Sequence, residues 1–305
     1  MKPIIIFHGN CMDGIAAAWG VYDGLRHLPE LPEFVQGYYG NPPPAIKGRD
    51  VYIVDFSYPA NVMEQIIAEA NMVVVLDHHA SAKQACQNVT VDESTGSKII
   101  FDMNRSGAML AWDFFHSEEP PLVLQYIQDR DLWTWKLPYS QEINMFLRNP
   151  DIIDPNKPME AFLQLSKFAA MPDADFLGIS VPRGEELLKA RDRLVEECTK
   201  NWFVVTMQLP EGEVLVPACF APSSIASECG NTLAYMEGAE VGVVFGNLAF
   251  GKFACSIRGR KGTDLAKRLA LHYGGGGHDQ AAGCGLEPGI YAAIIFTAIG
   301  RTLAP

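Results

Sequence analysis

The chain has 305 residues and a formal net charge of −12, from 36 acidic and 24 basic side chains. The length suits two domains of roughly 100–200 residues each, and 48% hydrophobic with 20% charged content describes a globular protein with real cores. The acidic balance excludes a protein that grips long duplex DNA or RNA along a Lys/Arg stripe, and no apolar run reaches the ~18–20 residues of a membrane span.

Taken in chain order, the opening MKPIIIFHGNCMDGIAAAWG places a single Lys before a short apolar run, with no cleavage-like site after it. It reads as a first strand rather than a signal peptide. Strands are predicted at 3–7, 33–39, 50–56 and 72–77, with helices at 13–26 and 59–70 between them. Short β-branched runs such as VYIV and MVVVL suit strands buried on both faces of a parallel α/β sheet. Residues 104–200 are mostly helical by apolar spacing in SGAMLAWDFF, PLVLQYIQD and PMEAFLQLSKFAAM. RGEELLKARDRLVEECTKN, 183–201, reads as a linker helix, or else as a surface helix of the first domain. After 201 the texture turns to strands (WFVVTMQ, EVLVPACF, VGVVFGNL, KFACSIRG), then a helix and the glycine loop GGGGHDQAAG. The expected domains are therefore 1–182, a linker helix 183–201, and 202–305. The seven cysteines, 11, 86, 198, 219, 229, 255 and 284, contain no CxxC pair. That argues against a disulfide framework and a structural zinc site, and for a reducing cytoplasm.

Ligands of open α/β sheets bind at the carboxyl ends of the strands. Three predicted strands end in Asp and His: His8 with Asp13, Asp55, and Asp77-His78-His79. One such Asp is commonly a helix cap, but three ends together point to a metal site. Mixed carboxylate and imidazole ligands suit manganese, iron or zinc. Two such ions can activate water and stabilise a leaving phosphoryl oxygen, with Asp55 as the bridging carboxylate and His78 as an imidazole ligand. Arg105 and Ser106 stand at a predicted helix start that can hold a phosphate, or else simply cap the helix. Consecutive glycines let backbone N–H groups approach an anion, which brings in Gly276, Gly277 and the following His278. Trp133 and Trp135 are assigned to core packing, with base stacking as the alternative. Arg260 and Lys261 are assigned to the surface.

LDHHAS resembles the name-giving motif of the DHH phosphoesterase superfamily, and HGNCMDG, VDFS and YIQDRDLW resemble its other acidic motifs. GGGGHDQAAG resembles the hallmark of the associated C-terminal domain, often called DHHA1. The motifs run in order from residue 8 to 283. The resemblance implies an α/β fold with an N-terminal parallel-sheet DHH domain and a smaller C-terminal α/β DHHA1-like domain, with the active site in the cleft between them. It implies an Mn2+-dependent hydrolase, with Mg2+ or another divalent metal as a substitute, acting on short oligonucleotides in the manner of oligoribonuclease or RecJ-like exonuclease relatives. A cyclic-dinucleotide phosphodiesterase or a nucleotide phosphatase is the alternative enzyme, and a non-catalytic nucleotide sensor the alternative of another class.

Residue by residue, the resemblance makes His8, Asp13, Asp55, His78 and Asp129 metal ligands. His79 would face the scissile phosphate, Asp77 would orient the imidazoles, and Arg258 would be aimed at the substrate. Of the two aspartates in QDRDLW, Asp129 is favoured for its spacing to the following large aromatic. The chain departs from the pattern at Cys11, which stands where relatives place a carboxylate. One of the two metal positions is therefore expected to be weak or partly filled, unless the Cys11 thiolate serves as a ligand. The sequence leaves the oligomeric state open.

Overall fold

The computed structural model describes residues 2–249 and 251–298, so residues 299–305, the end of the expected second domain, lie outside the described residues. The chain divides into two compact units, Met1–Leu188 and Lys189–Pro305.

The first unit is built on a parallel five-stranded sheet, β1 (Ile4–His8), β2 (Glu33–Gly37), β3 (Asp50–Val54), β4 (Met72–Asp77) and β5 (Lys98–Phe101), in the order β2-β1-β3-β4-β5. Alternation along the strands divides its two faces. Ile5, Phe7, Tyr52, Val54, Val74 and Leu76 bury one face against α1 (Met12–Leu25), while Ile4, Ile6, Val51, Ile53, Val73 and Val75 bury the other against Met63 and Ile66 of α2 (Ala60–Glu69). Both faces are covered, as all-parallel sheets require. A short α3 (Ala80–Ala85) follows β4. The remaining helices of this unit are α4 (Gly107–Phe115), α5 (Leu122–Asp131), α6 (Ser140–Leu147), α7 (Pro158–Ala169) and the start of α8 (Asp173–Lys200).

Small residues set the closest helix contact. Added Cβ atoms at Gly20 and Gly24 of α1 would stand 3.4 Å from the Ala111 Cβ and 2.6 Å from the Phe115 Cβ of α4. The start of α4 is thereby held beside the carboxyl ends of β1 and β3. The strand order reverses between those two strands, and that crevice is where open sheets bind ligands.

The second unit holds β6 (Phe203–Leu209), β7 (Gly212–Phe220), β8 (Val241–Ala249), β9 (Lys252–Gly259), β10 (Gly276–His278) and β11 (Ala281–Leu286), in the order β10-β11-β9-β8-β7-β6. Only the β7–β8 pair is parallel. Its helices are α9 (Ala226–Ala234), α10 (Leu265–His272) and α11 (Pro288–Phe296). Three details differ from the sequence reading. β5 is an unforeseen four-residue strand. α8 begins ten residues before 183 and runs through Pro182 without a break. The glycine loop is a hairpin rather than an open loop: Gly276 pairs with Gly283, Gly277 with Ala282 and His278 with Ala281. A Cβ on Gly277, at φ 138°, would stand 2.5 Å from the Ala281 carbonyl oxygen, so the strands close only without a side chain there.

Candidate metal centre

The carboxyl ends of β1, β3 and β4 bring together two groups of ligand atoms: His8, Asp55 and His79, and Asp13, Asp55 and His78. Asp55 belongs to both. It follows β3 directly and lies at φ 52°, a left-handed backbone that Asp adopts more readily than most residues. Its Oδ1 is 3.1 Å from His78 Nε2, and its Oδ2 is 3.4 Å from His8 Nδ1. Burial alone would raise its pKa. The hydrogen bond with His78 and the positive charges of His8 and His79 outweigh burial and hold it well below the usual carboxylate range.

Asp13 lies in the first turn of α1, yet its carboxylate serves a different helix. Its Oδ2 accepts from Gly107 N at 2.6 Å and its Oδ1 from Ala108 N at 3.2 Å, at the start of α4. Those N–H groups are the orphan donors of a helix N-terminus. The approach demands a glycine: a Cβ on Gly107 would stand 2.5 Å from the Asp55 Cβ and 2.9 Å from Asp13 Oδ2. The Asp13 pKa still lies well above its ordinary value, through burial first and then Asp131 and Asp55. For His78, burial opposes the charged ring, but Asp55, Asp13 and Asp131 outweigh it and push its pKa up to about 9.

Asp77, fully buried at the end of β4, organises the histidines. Its Oδ1 accepts from His79 Nδ1 at 2.7 Å and from the His78 and His79 backbone N–H groups at 2.7 and 3.1 Å, while its Oδ2 accepts from Ser57 Oγ at 2.6 Å. Fixing one ring nitrogen in this way turns the other outward and sets the tautomer.

The last turn of α5 reverses an expectation. Asp131, not Asp129, faces the cluster, with Oδ2 3.3 Å from His78 Nε2. Asp129 points to the opposite side of the helix and is saturated there: its carboxylate accepts from Lys136 N at 2.8 Å, Leu137 N at 3.2 Å and Thr134 Oγ1. It holds a loop and has no free oxygen to offer a cation.

Other expectations are corrected too. Cys11 is the N-cap of α1, makes no capping bond, and is absent from both ligand groups. Burial, Asp55 and Asp13 push its thiol well above the ordinary range. His79 stands in the group that was expected to be weak or partly filled unless Cys11 served as a ligand. At the N-terminus of α4 the Gly107 and Ala108 N–H groups are taken by Asp13. Ser106 caps that helix and is fully buried. Arg105 is paired with Asp113 and lines a separate cavity of about 640 Å³ with Asp113, His116 and Gln128, to which no cluster residue contributes. Trp133 is not in the core but 50% exposed. Tyr39, which the sequence did not single out, sets its ring 5.6 Å from that of His8.

The donor set fits divalent cations. Among the described residues, four buried side-chain polar atoms lack a hydrogen-bond partner, and three of them belong to this cluster: His8 Nδ1, Asp55 Oδ2 and Asp131 Oδ2. Buried polar atoms are otherwise almost always satisfied, and mixed carboxylate and imidazole donors suit manganese, iron or zinc.

Residues 3–134 match the profile of the DHH family, N-terminal domain. The first unit belongs to the DHH family. The chain is 24% identical, over 311 aligned residues, to an uncharacterized protein of Acanthamoeba polyphaga mimivirus. That match covers 92% of this chain and 66% of the relative, so the chain spans just under two thirds of the relative's length. Among solved structures, a pGpG-specific phosphodiesterase of Vibrio cholerae aligns with a TM-score of 0.51 at 14% identity, over 97% of each chain. An exonuclease RecJ bound to manganese aligns with a TM-score of 0.50 at 14% identity, over 97% of this chain and 89% of that one. At such identities these likenesses speak for the fold, two-domain and mixed α/β.

Beyond the DHH unit, the remaining candidates lie in the second unit, where Arg258 and His278 share one row across three strands. Ala281 pairs with Arg258 on one side and His278 on the other. Arg258 is already engaged: its guanidinium donates to Ser227 Oγ at 2.7 Å, Ile257 O at 3.0 Å and Ala282 O at 3.3 Å. His278 is exposed and ends β10, with Gly276 at the start of that strand. Arg260 is no free surface cation, since it donates to the Ala234 and Met236 carbonyls at the end of α9, at 2.7 and 2.5 Å. Among the described residues, no helix is long and apolar enough to cross a membrane.

Proposed function

We propose that this protein is a metal-dependent hydrolase of the phosphodiester bonds of short oligonucleotides, working with two divalent ions, manganese for preference. The observation that carries the reading is the shared Asp55, a carboxylate of lowered pKa joining two groups of imidazole and carboxylate donors. His8, Asp55 and His79 would hold one ion, and Asp13, Asp55, His78 and Asp131 the other. Bound there, such ions polarise phosphoryl oxygens and make water a nucleophile near neutral pH.

The chain's own residues do the rest. The α4 N-terminus and Asp77 hold the donors in place before substrate arrives. Asp77 keeps the His79 ring directed so that its outer nitrogen can meet either a cation or a phosphoryl oxygen. Membership of the DHH family and likeness to phosphodiesterase and exonuclease folds support phosphoester chemistry. The net charge of −12 favours short substrates, because long polymers are held by many cationic contacts. In the second unit, His278 on its glycine hairpin offers a terminal phosphate a place to bind. Seven free thiols suit a reducing cytoplasm.

The test is direct. An RNA dinucleotide incubated with the full-length protein and Mn2+ is expected to yield mononucleotides, and a chelator to stop the reaction. Tight dinucleotide binding without turnover in Mn2+, Mg2+ or Zn2+ would instead establish a nucleotide sensor.

A further inference from the structure

Directly after Asp131 the chain enters an unusual loop, Leu132 to Tyr139, LWTWKLPY. Three of its residues lie in the left-handed region: Trp133 at φ 55°, Trp135 at φ 52° and Tyr139 at φ 58°. Bulky aromatic residues are poorly suited to that conformation, and it persists only where the surroundings impose it. Here Asp129 imposes it. Its carbonyl oxygen accepts from Thr134 N at 2.9 Å and Trp135 N at 3.3 Å, and its carboxylate accepts from the Lys136 and Leu137 backbone. Trp133 N donates in turn to Arg130 O at 2.9 Å.

What the strain achieves is exposure. Trp133 is 50% and Tyr139 56% exposed, and the Trp133 and Trp135 rings meet edge to face, 4.9 Å apart at 74°. A well-bonded loop thus holds large apolar rings in water, where unaided folding would bury them. Lys136, next to Trp135 in the chain, is exposed, and the segment carries no acidic residue although the chain has 36. Trp133 lies two positions along the chain from Asp131, a reach of at most about 7 Å. Exposed aromatics with a cation among them are the means by which proteins hold single-stranded bases. Stacking also supplies what this acidic chain lacks, affinity that does not depend on a basic stripe.

We propose that Trp133, with Trp135 at its edge and Lys136 beside it, is the platform on which a nucleobase of the substrate stacks. The DHH unit then reads its substrate as a nucleotide rather than as any phosphodiester, an assignment that rests on the phosphodiesterase reading above. Trp133 and Trp135 are specificity residues, and Asp129 is the positioning residue that builds their loop.

Adenosine monophosphate and ribose 5-phosphate serve as probes of the full-length protein by tryptophan fluorescence. Saturable quenching is expected from the nucleotide and not from the sugar phosphate. Trp133→Ala weakens nucleotide binding by about 10-fold or more, while Trp133→Phe stays within about 3-fold of wild type. In turnover, Trp133→Ala raises KM for a dinucleotide about 10-fold with kcat nearly unchanged, and leaves a dinucleotide lacking its bases unaffected. Unchanged nucleotide affinity in Trp133→Ala, or equal binding of the sugar phosphate, overturns the platform even if wild type turns over. Absence of turnover alongside Trp133-dependent nucleotide binding overturns the hydrolase reading and leaves the platform standing.

Discussion

Replacing Asp131 by Asn lowers phosphodiester turnover by at least about 10³-fold, some 4 kcal/mol of transition-state stabilisation, and leaves the fold intact. The Asp131 Oδ2 is buried without a hydrogen-bond partner and lies 3.3 Å from His78 Nε2, so its charge is available to a cation and supports little else. The Asp131 pKa is raised by burial first and then by Asp55, which marks a carboxylate crowded by like charge when no cation is bound. Asp129→Asn, two residues earlier, acts on the other property. It presents an amide N–H2 to donors that need an acceptor, and each donor left bare costs about 1–3 kcal/mol. Thermal unfolding of the first unit should begin about 5 °C or more lower. Activity falls only in step with the displaced loop. Thermal melts and turnover measured on both variants check the pair. A stable, active Asp131→Asn beside an inactive Asp129→Asn would return the ligand role to Asp129.

Asp55→Asn should have the largest effect on metal binding, because one side chain belongs to both groups of donors. The variant isolates the charge. Asn matches Asp in volume and tolerates the left-handed backbone at φ 52° equally well. It keeps an oxygen for one histidine but loses the second anionic oxygen, so both cation positions weaken together. Calorimetric titration with Mn2+ is expected to show affinity reduced by about 100-fold or more for both ions, with a melting temperature near that of wild type without metal. Loss of one ion alone would mean that Asp55 does not bridge.

Much of this site was legible along the chain because strand ends are legible. Runs such as PIIIF, VYIV and MVVVL announce buried parallel strands, and the polar residues just past them fall at one edge of the sheet. Asp129 and Asp131 were harder. They differ by two residues, about 200° around a helix, so one faces the sheet and the other faces away. A signal did exist: Asp131 falls at i+7 from Leu124 and i+4 from Ile127 in the helical repeat, both buried, so it lies on the face of α5 that carries them. Spacing to the next aromatic was the wrong guide. The partner of the α4 N-terminus was hidden for a different reason, since Asp13 lies 94 residues away and no local pattern reports such a pairing. The exposure of Trp133 depends on a backbone conformation that composition argues against. It was hidden for that reason.

The account stands on two cation positions that share Asp55. Crystals grown with Mn2+ and measured at the manganese absorption edge test this most directly. Two anomalous peaks are predicted, both in contact with Asp55, one also touching His8 and His79, the other Asp13, His78 and Asp131. No peak at Asp55, or a manganese site built on Asp129 or Cys11, would contradict it.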